Sequence, residues 1–307
     1  METKSNAWLV QQLERPNRKV DVVLDTDTYN EIDDQYALAY LIASRDRLNL
    51  QGIYAAPFHN QKSDGPGDGM EKSYQEIMNI LSLMGRDDLK SMVYKGPDRF
   101  LPAEDVPVDS PAARDMVRLA MAHTAQDPLY VIGLAVITTI ASAILLEPEI
   151  TERIVVVWLG GNAHYWPNNL EFNIAQDVAA ARVVFGSKVP LVQIPCMGVA
   201  STFRVSGPEL EHYLKGKNPL CDYLVQVTQT QALQDGGNAT WSRPIWDVTA
   251  VAWLTGESFE KDHLAASPVP EYDHRYAFDP TRHLMKCVYE IRRDLLLEDL
   301  VKKLTQL

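Results

Sequence analysis

Cysteine is scarce in this chain, with three in 307 residues, at Cys196, Cys221 and Cys287. They are too few and too scattered for a disulfide framework or a zinc site, so each is expected as a small buried hydrophobe. Long apolar runs are missing as well. No stretch approaches the roughly twenty apolar residues of a membrane span, and the opening METKSNAWLVQQLERPNRK lacks the apolar centre of a signal peptide. Positive charge is in deficit, since the net charge is −12 and is spread along the chain. A DNA or RNA surface needs basic patches that displace counterions, so nucleic-acid polymers are excluded as partners. Internal repeats, low-complexity tracts and clear linkers are absent too. The expectation is a cytoplasmic, enzyme-sized protein forming one domain over residues 1–307, with no membrane partner.

What is present is an alternation of short apolar runs with helical stretches, the pattern of a βαβ protein. Strands are expected at Val20–Asp25, Leu50–Phe58, Met92–Gly96, Leu129–Leu134, Ile154–Gly161 and Val189–Pro195. They are unbroken rather than alternating, the mark of parallel strands buried on both faces. Helices are expected at Asp33–Ser44, Met70–Met84, Arg114–Thr124, Ile137–Leu146 and Asp177–Phe185. Further helices are expected at Asn218–Gln234 and Ile245–Leu254, and a capping box at Ser206–Glu209 opens another. A late strand at His283–Ile291 and a helix at Arg292–Leu307 close the chain. The fold class is α/β, with an open, mostly parallel sheet covered by helices on both faces.

The stretch LDTDTYNEIDD, Leu24 to Asp34, packs four aspartates and a glutamate directly behind the first strand. Ligands of open parallel sheets bind at the carboxyl ends of strands, where Asp25 and Asp27 fall. An aspartate at a strand end is a common turn former, and one in a first helical turn is favoured by the dipole. Those reasons cover two of the four. Four around one strand end repel one another and call for a cation or a polyol. Oxygen-only donors select a hard cation, Ca²⁺ or Mg²⁺.

Two chemistries begin with such a stretch. LDTDT matches the DxDxT start of haloacid-dehalogenase-type Mg²⁺ phosphatases, where Asp25 is the nucleophile and Asp27 the acid/base. That pattern also needs an acidic pair after a later strand, and neither WLGGN nor LVQIPCMG carries one. The second match is longer. DTD…DDQYAL resembles the DxDxGxDDxxAL signature of the calcium-dependent, inosine–uridine-preferring nucleoside hydrolases. TTIASAILLEPEI (Thr138–Ile150), WLGG with LEFNIAQDVAAARVVF (Leu170–Phe185), and IWDVTAVAWL (Ile245–Leu254) resemble further segments of that family, in the right order over roughly residues 20–255. The EFN segment is the most specific and is foreign to the phosphatase pattern.

The resemblance implies a nucleoside N-ribohydrolase that frees base and ribose with a Ca²⁺-held water. It implies that Asp27 binds Ca²⁺ and acts as general base, and that Asp34, Asp247 and the main-chain carbonyl near Leu134 are further ligands. Asp25 becomes another ligand or an orienting group behind them. Asp33 accepts hydrogen bonds from the ribose hydroxyls, and Glu171 and Asn173 grip the sugar. Taken without the resemblance, those two are a helix-start glutamate and a turn asparagine. The family is commonly dimeric or tetrameric, so a homodimer or homotetramer is expected.

The sequence departs from the family in three places. TYNEI puts five residues between Asp27 and Asp33 where three are usual, so the loop must bulge and Tyr29, Asn30 or Glu31 becomes available to the pocket. NAHYWPNNL replaces the usual stretch before EFN, leaving Asn168 and Asn169 as candidates for the 5′-hydroxyl contact. Trp246 stands where pyrimidine-tolerant members carry a histidine, which implies stacking on a purine; the plain alternative is a tryptophan packed in the core. His59, His164, Trp166 and Phe58 are weaker candidates for base contacts. A non-catalytic calcium and sugar binder that kept the fold is the remaining reading.

Overall fold

The computed structural model describes residues 4–256 and 258–307. A short helix, α1 (Asn6–Gln12), precedes β1 (Val20–Thr26), α2 (Asp33–Ala43), β2 (Leu48–Ala55), α3 (Pro66–Leu83) and β3 (Val93–Lys95). Next come α4 (Pro111–Met121), β4 (Leu129–Gly133), α5 (Thr138–Leu146), β5 (Ile154–Leu159), α6 (Phe172–Gln176), α7 (Val178–Gly186) and β6 (Leu191–Ile194). The last third holds β7 (Arg204–Ser206), α8 (Gly207–Tyr213), α9 (Pro219–Gln234), β8 (Ser242–Pro244), α10 (Val248–Thr255) and β9 (Glu260–Ala266). It ends with β10 (Val269–Pro270), β11 (Tyr276–Ala277), β12 (Leu284–Ile291) and α11 (Arg293–Leu304).

Eight strands form one sheet in the order β3-β2-β1-β4-β5-β6-β12-β9. Every pairing is parallel except the last, β12 with β9. Successive side chains of a strand point to opposite faces, and both faces here are apolar. Val22 and Leu24 join one buried cluster, and Val23 the other. Val155 and Val157 are likewise divided from Val156 and Trp158. That double burial explains the unbroken apolar runs in the sequence. α2 is buried from Asp33 through Ile42 because α10 and α11 pack over it.

The expected elements are present with shifted ends. The second strand starts earlier and ends at Ala55, short of Phe58. The helix expected from Arg114 begins at Pro111, because the Ser110 side chain caps it through the Ala113 N–H and proline suits the first turn. The Ser206–Glu209 capping box is formed. The sheet's antiparallel edge β9 was not expected. Four of its seven residues are polar and only Glu260 is buried, so it lacks the apolar run that marks its neighbours. Among the described residues no helix is long and apolar enough to cross a membrane. All three cysteines are free and buried.

Candidate functional site

The carboxyl ends of β1, β4, β5 and β6 share one rim of the sheet, and a cavity of about 220 Å³ opens there. Its floor is acidic, lined by Asp27, Asp33, Asp34 and Asp247 with Leu134 and Asn173. Asp33 and Asp34 form the first turn of α2, while Asp247 immediately precedes α10. Because α2 and α10 pack together, acids more than two hundred residues apart meet. Asp33, Asp34 and Asp247 each place one carboxylate oxygen within 4.8 Å of the others, and all three are buried. The Asp247 N–H donates to Asp33 Oδ2 at 3.3 Å, and the Thr26 hydroxyl donates to Asp34.

The other two aspartates are less well partnered. Asp27 Oδ2 is buried with no hydrogen-bond partner, and so are both carboxylate oxygens of Asp25, which does not itself line the cavity. Burial pushes Asp25 up to about 8, against the tempering Thr139 hydroxyl. Asp34 rises to about 6, again chiefly by burial, with Thr26 opposing. Burial holds Asp27, Asp33 and Asp247 well above the usual carboxylate range, and neighbouring carboxylates add to it. Such a cluster resists ionising unless a cation offsets the repulsion. Its donors are oxygen only, so the residues fit a hard divalent cation rather than zinc.

The remaining expected site residues divide sharply. Asn173 donates its amide N–H groups to Leu134 O at 2.8 Å and Leu159 O at 3.1 Å, tying the ends of β4 and β5 together. Glu171 caps α6. It also lines the cavity, and its carboxylate accepts from the N–H groups of Asn173 (2.9 Å), Gly161 (2.7 Å) and Ile174 (3.1 Å). Gly161 can present its N–H this way because it sits at φ +67°, and a Cβ there would lie 2.1 Å from the Tyr276 hydroxyl. Asn168 does not line the cavity. Its Oδ1 accepts from Leu170 N, and its carbonyl accepts from Asn162 Nδ2. Asn169 is buried, with its Oδ1 held by Asn162 N at 2.8 Å. Both asparagines hold the loop after β5 instead of reaching into the cavity.

Trp246 is half-buried, packs against the core and also lines the cavity. The inserted turn bulges as expected. The Asn30 N–H closes it on Asp27 O at 2.7 Å. Asn30 and Glu31 line the acidic cavity, whereas Tyr29 lines its neighbour. Lys62, beyond β2, fastens the bulge by donating to Asn30 O (2.8 Å) and Gln231 Oε1 (2.9 Å). His59, His164, Trp166 and Phe58 do not line the cavity. Sequence reasoning missed Phe172, Cys196 and Met197, which do. The end of β6 was the available signal, but it read as an ordinary apolar strand. No acidic pair stands there or after β5, where the phosphatase chemistry would need one.

Comparison with known proteins identifies the family and the fold. The model of the inosine-uridine preferring nucleoside hydrolase family matches residues 22–276. The chain is 24% identical over 249 residues to the pyrimidine-specific ribonucleoside hydrolase RihA of Citrobacter koseri, covering 72% of this chain and 75% of that protein. A plant nucleoside hydrolase, PpNRh1, superposes with a TM-score of 0.75 at 16% identity, over 93% of this chain and 99% of its own. A purine-preferring ribonucleoside hydrolase from Gardnerella vaginalis does so with 0.71 at 20% identity, over 93% and 98%. At these identities the structural likenesses show the shared fold.

Proposed function

Because the chain belongs to the inosine-uridine preferring nucleoside hydrolase family, we propose that it is a Ca²⁺-dependent N-ribohydrolase releasing free base and ribose, with a preference for purine or modified purine nucleosides. The observation that carries this reading is the meeting of Asp33, Asp34 and Asp247 beside the partly unpartnered Asp27. Asp27, Asp34, Asp247 and the Leu134 carbonyl would hold the cation, with Asp25 supporting them from behind. Bound there, Ca²⁺ would supply the charge that gathers the sugar diol and a water in one place.

The chain's own groups do the rest. Asp33 and Asp247 accept hydrogen bonds from the ribose hydroxyls and so orient the ring. Asp27 takes the proton of the attacking water with its unpartnered oxygen. Cleaving an N-glycosidic bond builds positive charge on the ribose, and the bed of carboxylates stabilises that charge where it develops. Asn173 and Glu171 fix the strand ends that carry the sugar wall. Trp246 stacks on the leaving base, which supports the purine preference.

Base release from inosine, guanosine, uridine and cytidine, with Ca²⁺ and after chelation, tests the proposal. Purine nucleosides are expected to turn over first and only with the cation. A uridine-first profile overturns the purine preference. Phosphate release from nucleotides without base release overturns the hydrolase reading in favour of a phosphatase.

A further inference from the structure

The rim opposite the acidic floor carries a site of the other sign. β6 and β12 run parallel, and their amino ends lie beside the turn that follows α7. A cavity of about 420 Å³ opens between that turn, the start of β12 and the start of α1. The charged side chains lining it are Lys4, Lys188 and Arg282, joined by His283, Ser5 and Asn6. Among the described residues no carboxylate lines it, although the whole chain has a net charge of −12.

These cations are not neutralised by neighbours. Arg282 donates to two main-chain carbonyls, Ser267 O and Phe185 O, each at 2.7 Å. Those bonds use Nε and one terminal nitrogen, fix the guanidinium at the end of α7 and leave Nη1 for a ligand. Asp279 stands on the same turn as Arg282, but its carboxylate accepts from the N–H and hydroxyl of Thr281 at 2.9 and 2.6 Å. Among the described residues no carboxylate oxygen comes within 4.0 Å of the charged nitrogens of Lys4, Lys188 or Arg282. Burial, followed by the charges of Arg282 and Lys188, pushes His283 down to about 4. Both cations therefore act on the same half-buried ring.

Lys188 is unusual in its backbone as well. It follows Ser187, the C-cap of α7, at φ +61°. Glycine is the common residue at that left-handed position, and lysine there is strained. The strained residue sets an exposed ammonium on the cavity's edge. Two neutral donors complete the lining. Ser5 Oγ accepts from Trp8 N and keeps its own O–H to donate, and Asn6 Oδ1 accepts from Leu284 N and leaves its amide N–H groups. Like charges around one space repel one another, and an anion between them reverses the sign of that interaction. A guanidinium offers oxyanions a planar fork, and lysine a mobile point charge.

We propose that this cavity binds a phosphate-class oxyanion, free or as the phosphate end of a small ester, through Lys188 and Arg282 with Lys4 at its edge. The site lies at the far end of the strands from the acidic floor, and it stands independently of the hydrolase reading.

The test titrates inorganic phosphate into the full chain freed of divalent cations, with KCl holding the ionic strength constant, and follows the His283 ring by NMR. A saturable shift of the His283 signals is expected, with the pH at which the ring protonates rising as the anion binds. No shift, or a drift linear in phosphate, overturns the proposal. Lys188→Gly removes the charge at a backbone position that suits glycine, and Lys188→Glu reverses it. Affinity for phosphate is expected to fall about threefold or more in the first and about tenfold or more in the second. Wild-type affinity in both variants overturns the site. A second arm uses glycerol 3-phosphate. Tighter binding than phosphate identifies an ester as the ligand, and weaker binding identifies the free anion.

Discussion

The β1 floor and the β5 wall of the same cavity are both rich in buried polar side chains, yet they treat them in opposite ways. At the wall every carboxylate oxygen and loop asparagine has a protein partner, as Glu171 with its three main-chain N–H groups shows. At the floor Asp27, and behind it Asp25, together leave three buried oxygens with none. An unmet buried acceptor costs about 1–3 kcal/mol, more when charged. A chain that satisfies one side and leaves the other open has built a scaffold beside a ligand site. The difference identifies which acids await a ligand better than acidity alone does.

The largest effect that can break the comparison is on catalysis. Asp27→Asn should lower turnover by about 10³-fold, within the range typical of a lost general base, while circular dichroism and the Tm stay near wild type. A variant that keeps its turnover removes Asp27 from the role proposed for it.

Next comes a test of whether a lack of partners is by itself enough to make a ligand site. Glu260, on β9, is buried with both carboxylate oxygens unpartnered, and the nearest cation is Arg15 at 4.0 Å. Burial pushes it up to about 8 from 4.5, against the Arg15 charge. The folded state therefore holds this proton more tightly than the unfolded chain does. Its stabilising effect is complete below pH 4.5 and is lost as pH rises to about 8. A shift of that size corresponds to about 5 kcal/mol as an upper order of magnitude. Glu260→Gln should raise the Tm at pH 8 and flatten its dependence between pH 5 and 8, with no change in activity. If the pH profile of the Tm is the same in both proteins, Glu260 is not the group responsible.

A cation effect should follow in size. Ca²⁺ at about a hundred times its Kd adds about 2.7 kcal/mol to the folded state by mass action. Differential scanning calorimetry should show the Tm rising with Ca²⁺, and Asp34→Asn should remove the rise. A Tm indifferent to Ca²⁺ would leave the floor acids without their proposed ligand.

The smallest expected effect lies on the satisfied side. Glu171→Gln places an amide among N–H donors and should cost about 2 kcal/mol, lowering the Tm by roughly 3 °C. Its effect on stability should exceed that of Asp27→Asn. The reverse order would contradict the division between scaffold and site.

Much of this was legible beforehand. Runs such as VDVVLD and IVVVWL are apolar on both strand faces because both faces are covered, so the parallel sheet could be read from them. The acids of Asp25 to Asp34 could be placed at the rim because ligand sites in such sheets follow strand ends. β9 could not be read, since an edge strand carries charges and keeps no period of its own. Nor could the fate of the EFN segment. Glu171 and Asn173 line the cavity as the sequence implied, and only their donors and acceptors reveal that they also hold main-chain groups at the strand ends.

By itself, then, the sequence determined the sheet, the cluster LDTDTYNEIDD at its rim and the residues available to it, because local periodicity and strand ends are written in consecutive residues. The tertiary structure alone decided that Asp247 meets Asp33 and Asp34, that Asn30 and Glu31 turn inward while Asn168 turns away, and that Leu170 and Met197 join the cavity lining. Those outcomes depend on which helices pack together and which polar groups find partners, and both are settled only when distant segments meet.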